Sequence, residues 1–190
     1  MNKKELRKIF LLKRKLLTEE DFFQMNISIK NLLLKHFVTS AGSKIHIYLS
    51  DNFNKEVDTW NIIRELQSRK NLIAVPKVFN SDLQNCLLFK NTVLVSNKWN
   101  IQEPEICRIM NTKDLEMIIL PLLAFDLRGF RVGYGSGYYD KFLKKCKEDT
   151  VKIGLSFFDP VNNINDIHSS DIKMNYCITP DRIYTFAAKS

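Results

Sequence analysis

Between Leu115 and Cys146 the chain passes from an apolar strand through a glycine-rich loop into a helical pattern, and this passage limits the possible folds most. Leu115 to Leu120 is a short apolar run, as expected for a buried strand. Four of the six glycines follow between positions 129 and 137. Lacking a Cβ, they let the backbone take positive φ and come close to a ligand. Tyr138 to Cys146 then reads as a helix. A glycine loop opening a helix aims N–H groups and the positive end of the helix dipole at one point, which suits an anion, most often phosphate. A flexible surface loop before an ordinary helix is the alternative. Arg131, the two tyrosines and Asp140 crowding the same turn favour the anion site.

The flanking sequence supplies the rest of an α/β pattern. Asn2 caps a helix with Glu5 in capping-box position, and Leu6, Ile9, Phe10, Leu16 and Leu17 recur at helical spacing. Thr18-Glu-Glu-Asp21 restarts a helix that runs to Phe37. Lys44 to Leu49 predicts a strand, in which His46 is expected to be a satisfied sheet residue. A polar loop carrying Glu56 leads to a helix from Trp60 to about Ser68, capped by Asp58 or Thr59. Strands are expected at 71–76, 86–89, 92–95, 151–156, 176–179 and 182–186, and 97–111 looks irregular. No composition break divides the chain. The expectation is one domain over residues 1–190, a three-layer α/β/α fold with a mostly parallel sheet and helices on both faces.

Charge narrows the function. The net charge is +8, and residues 1–17 carry seven basic side chains against Glu5 alone. A nucleic-acid binder usually spreads its cations over a docking face with reading residues among them. An excess confined to one helix suits a small anionic ligand at least as well. Lys3 and Arg7, at i and i+4, share a face and can grip one polyphosphate. The longest apolar run is far too short to span a bilayer. Cys86, Cys107, Cys146 and Cys177 have no metal-site spacing and are expected as reduced thiols in a cytoplasmic protein.

The glycine stretch is not a P-loop, since no G-x-x-x-x-G-K-[ST] occurs. Its G-x-G-x-G spacing, a dozen residues beyond the strand, is not the dinucleotide fingerprint. Gly135-Ser136-Gly137 is no nucleophile elbow. It resembles a different signature. Leu120-Pro-Leu-Leu-Ala-Phe-Asp126-x-x-Gly129-x-Arg131-x-Gly133-x-Gly135-x-Gly137-Tyr-Tyr-Asp140 is similar to that of the 5-formyltetrahydrofolate cyclo-ligases, also called 5,10-methenyltetrahydrofolate synthetases. Lys3-x-x-x-Arg7, Glu56-Val-Asp-Thr59, Trp99-Asn-Ile-Gln-Glu-Pro104 and Asp171-Ile-Lys-Met-Asn175 extend the resemblance along nearly the whole chain.

The resemblance implies an enzyme that uses ATP and Mg²⁺ to close 5-formyltetrahydrofolate to 5,10-methenyltetrahydrofolate, releasing ADP and phosphate. It implies ATP contacts from Lys3, Arg7, Arg131, Val132, Gly133, Tyr134, Gly135, Ser136, Gly137, Tyr138 and Tyr139. Folate contacts would come from Leu49, Glu56, Tyr134, Gly135, Ser136, Gly137 and Tyr138. Arg131 and Asp140 would act in catalysis, and Asp140 with Asp171 would hold the metal. The residue chemistry agrees: phosphoryl transfer asks for positioning and charge neutralisation, and no protein nucleophile is needed. Tyr134 and Ser136 stand where some family members have basic residues, so neutralisation leans on Lys3, Arg7 and Arg131. Asn175 replaces the second acid of the C-terminal motif, leaving Asp171 to serve without it. A monomer acting on small molecules is expected, with no nucleic-acid or membrane partner. A folate- or nucleotide-binding regulator without turnover, or a basic nucleic-acid module, are the rival readings.

Overall fold

The computed structural model describes residues 1–51, 53–97, 99 and 101–186. Helix α1 (Lys3–Lys15) begins with the expected reciprocal cap, in which Asn2 Oδ1 accepts from the Glu5 N–H and Glu5 accepts from the Asn2 N–H. Helix α2 (Glu19–His36) follows, with Thr18 accepting from the Asp21 N–H. Strand β1 (Lys44–Ile47) leads to helix α3 (Trp60–Ser68). Of the two candidate caps it is Asp58 that accepts from the Trp60 N–H, at 2.8 Å. Thr59 instead turns inward and donates to the Tyr48 carbonyl.

Strands β2 (Leu72–Phe79) and β3 (Asp82–Leu87) form a hairpin that the sequence reading cut short at Pro76. Its turn is made by Asn80 and Ser81, both at positive φ, with no glycine to mark it. Pro76 is tolerated because β1 pairs β2 only as far as Ala74. Strands β4 (Leu94–Ser96) and β5 (Gln102–Pro104) make a small ribbon, partly inside the stretch expected to be irregular. Strand β6 (Met117–Leu120) precedes a second ribbon, β7 (Ala124–Phe125) with β8 (Arg131–Val132). Helix α4 spans Tyr138–Leu143, so the helix expected to Cys146 stops early. Strands β9 (Val151–Leu155), β10 (Tyr176–Ile178) and β11 (Ile183–Thr185) complete the chain.

Seven strands form one sheet in the order β11-β10-β9-β6-β1-β2-β3. The four inner pairings are parallel and the two edge pairings antiparallel. Side-chain alternation sorts the core. Ile45, Ile47, Ile119, Ile153 and Leu155 meet Ile29 and Leu33 of α2 and Ile62, Ile63 and Leu66 of α3. Ile118, Leu120 and Cys177 face the other way, onto Phe142 and Leu143 of α4. Each large aliphatic chain so buried contributes about 1.5–3 kcal/mol. Helix α1 docks Leu6 and Phe10 against Leu123, Ala124 and Val132 of the β7–β8 ribbon. The α/β/α expectation therefore holds. Among the described residues, no helix is long and apolar enough to cross a membrane.

The cysteines correct the sequence reading. Cys86 and Cys107 are disulfide-bonded, with Cα atoms 5.0 Å apart. The segment after β5 runs beside β3, where the Leu87 N–H donates to the Arg108 carbonyl and the Met110 N–H to the Asn85 carbonyl. That pairing brings two sequence-distant thiols together, which spacing alone does not reveal. Cys146 and Cys177 are free thiols, the first only half-buried.

Candidate active site

Strand β1 is followed on one side by β2 and bordered on the other by β6, so the chain's winding reverses between β1 and β6. In open α/β sheets ligands bind at such a reversal, beyond the C-terminal strand ends. The loop carrying Glu56 leaves the end of β1, and the glycine stretch leaves the end of β6.

The signature aspartate, Asp126, builds the loop. It is fully buried and accepts from the backbone N–H groups of Arg128, Phe130 and Ile164 and from the Arg128 guanidinium. These bonds fold the turn that sends β8 back along β7. Beyond β8, Gly135 has φ +111, and a Cβ there would sit 3.4 Å from the Arg7 guanidinium carbon. Gly137 caps α4 in the left-handed conformation. Because α4 has only six residues its dipole is short, and an anion here depends on cationic side chains.

Those cations converge. Arg7 Nε donates to the Gly133 carbonyl at 2.8 Å. Lys3 Nζ lies 2.5 Å from Asp171 Oδ2, and the Lys3 N–H donates to Asp166. Arg131, with a side chain only 5% exposed, donates to Asp140 Oδ1 at 2.9 Å and to the Ile172 carbonyl. Asp140 Oδ1 also accepts from the Ile172 N–H. Lys3, Arg131, Asp140 and Asp171 thus form one linked cluster around the 171–172 segment. Burial pushes the Asp171 carboxyl up, but Lys3 and the His168 N–H together hold it below the ordinary range. Burial draws the Arg131 guanidinium down, against the pull of Asp140.

A second network faces this cluster. Glu56 is buried, with Oε1 accepting from the Tyr134 hydroxyl at 2.6 Å and Oε2 from the Asp51 N–H at 2.8 Å. Burial raises its pKa, and the Tyr134 hydrogen bond works against that rise. The Tyr134 hydroxyl in turn accepts from Arg14 Nη1 at 3.1 Å. Arg14 is 3% exposed and its other arm donates to the Leu122 carbonyl. Sequence reasoning counted Arg14 only as charge. The available signal was its spacing, eleven residues from Lys3 and seven from Arg7, which puts all three on one helical face.

Other expected site residues fall into three groups. Gly133 to Tyr138 line the accessible rim, with Gly135, Ser136 and Gly137 exposed. Tyr138 stacks edge-on toward Trp99, with ring centres 6.5 Å apart, beside a cavity of about 440 Å³ that also reaches Asn97 and Glu103. Asn100 of that segment lies outside the described residues. Leu49 and Val132 are buried in the packing, Leu49 at 4% exposure, and the Val132 carbonyl accepts from the Leu123 N–H. Tyr139 points inward, 3.2 Å from His46 Nε2. His46 is a satisfied sheet residue as expected, bonded to Asn85 at 2.7 Å and driven by burial to a pKa of about 4. Asn175 is committed to the sheet, its Oδ1 accepting from the Lys152 N–H.

Comparison with known proteins identifies the family. The model of the 5-formyltetrahydrofolate cyclo-ligase family matches residues 1–180. The mouse 5-formyltetrahydrofolate cyclo-ligase is 26% identical over 178 residues, 87% of either chain. The Escherichia coli K12 enzyme of that name is 26% identical, covering 90% of this chain and 97% of its own. Among solved structures, the Aquifex aeolicus 5,10-methenyltetrahydrofolate synthetase superposes with a TM-score of 0.85 at 27% identity, over all of this chain and 95% of the other.

Proposed function

The chain belongs to the 5-formyltetrahydrofolate cyclo-ligase family, and from that premise we propose that it converts 5-formyltetrahydrofolate to 5,10-methenyltetrahydrofolate at the expense of ATP. The reading treats residues 1–190 as one unit acting as a cytoplasmic monomer on small molecules. What carries it is the convergence of Lys3, Arg7, Arg131, Asp140 and Asp171 on the loop that also holds Tyr134 against Glu56.

The donor set fits Mg²⁺. Asp140 takes its hydrogen bonds on Oδ1 and Asp171 on Oδ2, which leaves each with a second oxygen for a hard cation. Mg²⁺ is commonly held by one or two carboxylates plus substrate phosphates, which is the set these two acids and a bound polyphosphate would supply. Bound there, Mg²⁺ would neutralise phosphate charge.

Lys3, Arg7 and Arg131 grip the polyphosphate, and the backbone N–H groups of the 133–139 loop add a cradle. Lys3 and Arg131 are paired with Asp171 and Asp140 beforehand, so each cation turns to phosphate as its carboxylate is released. That exchange favours ATP and cation arriving together. Glu56, as a buried carboxylate, accepts from the N–H donors of the pterin, and Tyr134 and Tyr138 flank the ring. The formyl oxygen then attacks the γ-phosphorus in line, and ADP leaves. N10 attacks the activated carbon, the C–O bond to phosphate breaks, and N10 loses its proton. Holding N10 beside that carbon draws on part of the roughly 7–11 kcal/mol available from orientation.

The test is a coupled absorbance assay with purified protein. The ultraviolet-absorbing methenyl product is expected only when 5-formyltetrahydrofolate, ATP and Mg²⁺ are all present. Absence of product at high enzyme concentration overturns the reading.

A further inference from the structure

Arg14 is a buried cation that the reaction as described does not use. Burying an arginine is costly unless a carboxylate answers it. Among the described residues no carboxylate forms a direct ion pair with Arg14; its Nη1 meets Glu56 only through the Tyr134 hydroxyl. Nη2 anchors the guanidinium on the Leu122 carbonyl, between β6 and β7.

The polarity of this chain follows from the donor inventory. A guanidinium only donates, and a tyrosine hydroxyl has one proton. Since the Tyr134 oxygen accepts from Arg14, its proton is left for Glu56 Oε1. The Asp51 N–H donates to Oε2, so both Glu56 oxygens accept. We propose that Arg14 is a positioning residue for the ring-binding carboxylate: it fixes the Tyr134 hydroxyl as a donor to Glu56 and balances the Glu56 charge from across the loop. The proposal rests on Glu56 being the acceptor for the folate ring.

Other titratable groups also face Glu56. Asp51 lies on its own loop, Tyr48 comes from the end of β1, and Tyr134 and Tyr139 come from the glycine loop and α4. Arg14 is the cation among them, and its charge opposes the upward push that burial exerts on Glu56. The loop lacks basic residues at Tyr134 and Ser136, and α1 delivers the missing charge from outside it.

The experiment follows the Glu56 side-chain carboxyl by carbon NMR through a pH titration of the ligand-free protein, in wild type, Arg14→Met and Arg14→Lys. The midpoint is expected to rise by about one pH unit or more in Arg14→Met, and Arg14→Lys should recover most of that change. Calorimetry with 5-formyltetrahydrofolate should then find Arg14→Met weakest at mildly acidic pH and approaching wild type at alkaline pH. An unmoved Glu56 midpoint in folded Arg14→Met, or an equal loss of affinity at every pH without rescue by lysine, overturns the proposal. Should Arg14→Met fail to fold, Tyr134→Phe cuts the same relay at a ring that is 44% exposed. Its Glu56 midpoint should also rise, and an unchanged one overturns the proposal. A shifted midpoint in a protein that binds no folate at any pH leaves the Arg14 clamp standing and removes the folate reading instead.

Discussion

The two halves of the candidate site are built on opposite plans. On the phosphate side, charged side chains are paired with one another: Lys3 with Asp171 and Arg131 with Asp140. On the ring side, Glu56 is held by a hydroxyl and a backbone N–H, with a buried cation behind the hydroxyl. Under the proposed function the first half must trade partners to bind, whereas the second is already in its working arrangement. A polyphosphate brings enough charge to break ion pairs. A pterin brings only hydrogen-bond donors and flat apolar surface, so its acceptor must be ready beforehand.

Arg131→Ala should have the largest effect and tests whether the phosphate side is uniform. Its partner role in phosphoryl transfer predicts a kcat loss on the order of a thousandfold. Because its side chain is almost fully buried, the broken pair should also lower unfolding stability by about 3 kcal/mol, measured by urea denaturation. Unchanged kcat and ATP affinity would remove Arg131 from phosphate binding.

Glu56→Gln probes the ring side. Loss of a charge-assisted acceptor should weaken 5-formyltetrahydrofolate binding by about 2 kcal/mol, roughly thirtyfold, with ATP binding spared. Burial raises the Glu56 pKa above 4.5, so the folded state takes up its proton more readily than the unfolded chain. The stability this contributes is full below that value and is lost as pH rises through the folded pKa. The Tm of wild type relative to Glu56→Gln should therefore improve on going from neutral to mildly acidic pH, while wild-type folate affinity declines. Affinity that held steady across that range would show a carboxyl that does not titrate there.

Lys3→Ala should have the smallest effect. Its pair with Asp171 is largely buried, with side chains 13% and 16% exposed, so stability should fall by about 1–2 kcal/mol, less than for Arg131→Ala. The KM for ATP should rise about tenfold with kcat within a few-fold of wild type, as expected for an interaction made equally in ground and transition states. A large kcat loss with KM unmoved would place Lys3 at the transferring phosphate and blur the contrast between the cluster's members.

Much of this was legible in the sequence. Capping residues and apolar periodicity marked α1, α2, α3 and the inner strands, because local patterns report burial directly. Lys3, Arg7, Glu56, Arg131, Asp140 and Asp171, all singled out in the sequence, fall in one region linked by hydrogen bonds. What escaped depended on neighbours far along the chain. Arg14 sits in Lys13-Arg14-Lys15, which looks like a solvated charge run until the fold brings the Leu122 carbonyl and the Tyr134 hydroxyl to its guanidinium. The β2–β3 turn uses asparagine and serine where glycine is the usual marker. Cys86 and Cys107 meet only because a strand-like segment returns beside β3. Both departures from the family pattern have a place in the structure: the Asn175 side chain accepts from the Lys152 N–H, and α1 brings Arg7 and Arg14 to the loop that lacks basic residues.

Helix α1 also works as a measuring rod. From Lys3 to Arg14 is eleven residues, about 16 Å of rise and close to three full turns, so the inward face repeats itself. Its first cation meets the acid cluster, its second the glycine loop, and its third the ring-side carboxylate through a tyrosine. Under the proposed function, the span between nucleotide and folate subsites is thereby written into the pitch of one helix. Inserting or deleting a single residue between Arg7 and Arg14 would swing Arg14 by about 100° and turn it away from Tyr134. A segment that a charge count presents as a disposable basic tail is thus constrained in length as tightly as the glycine loop it serves.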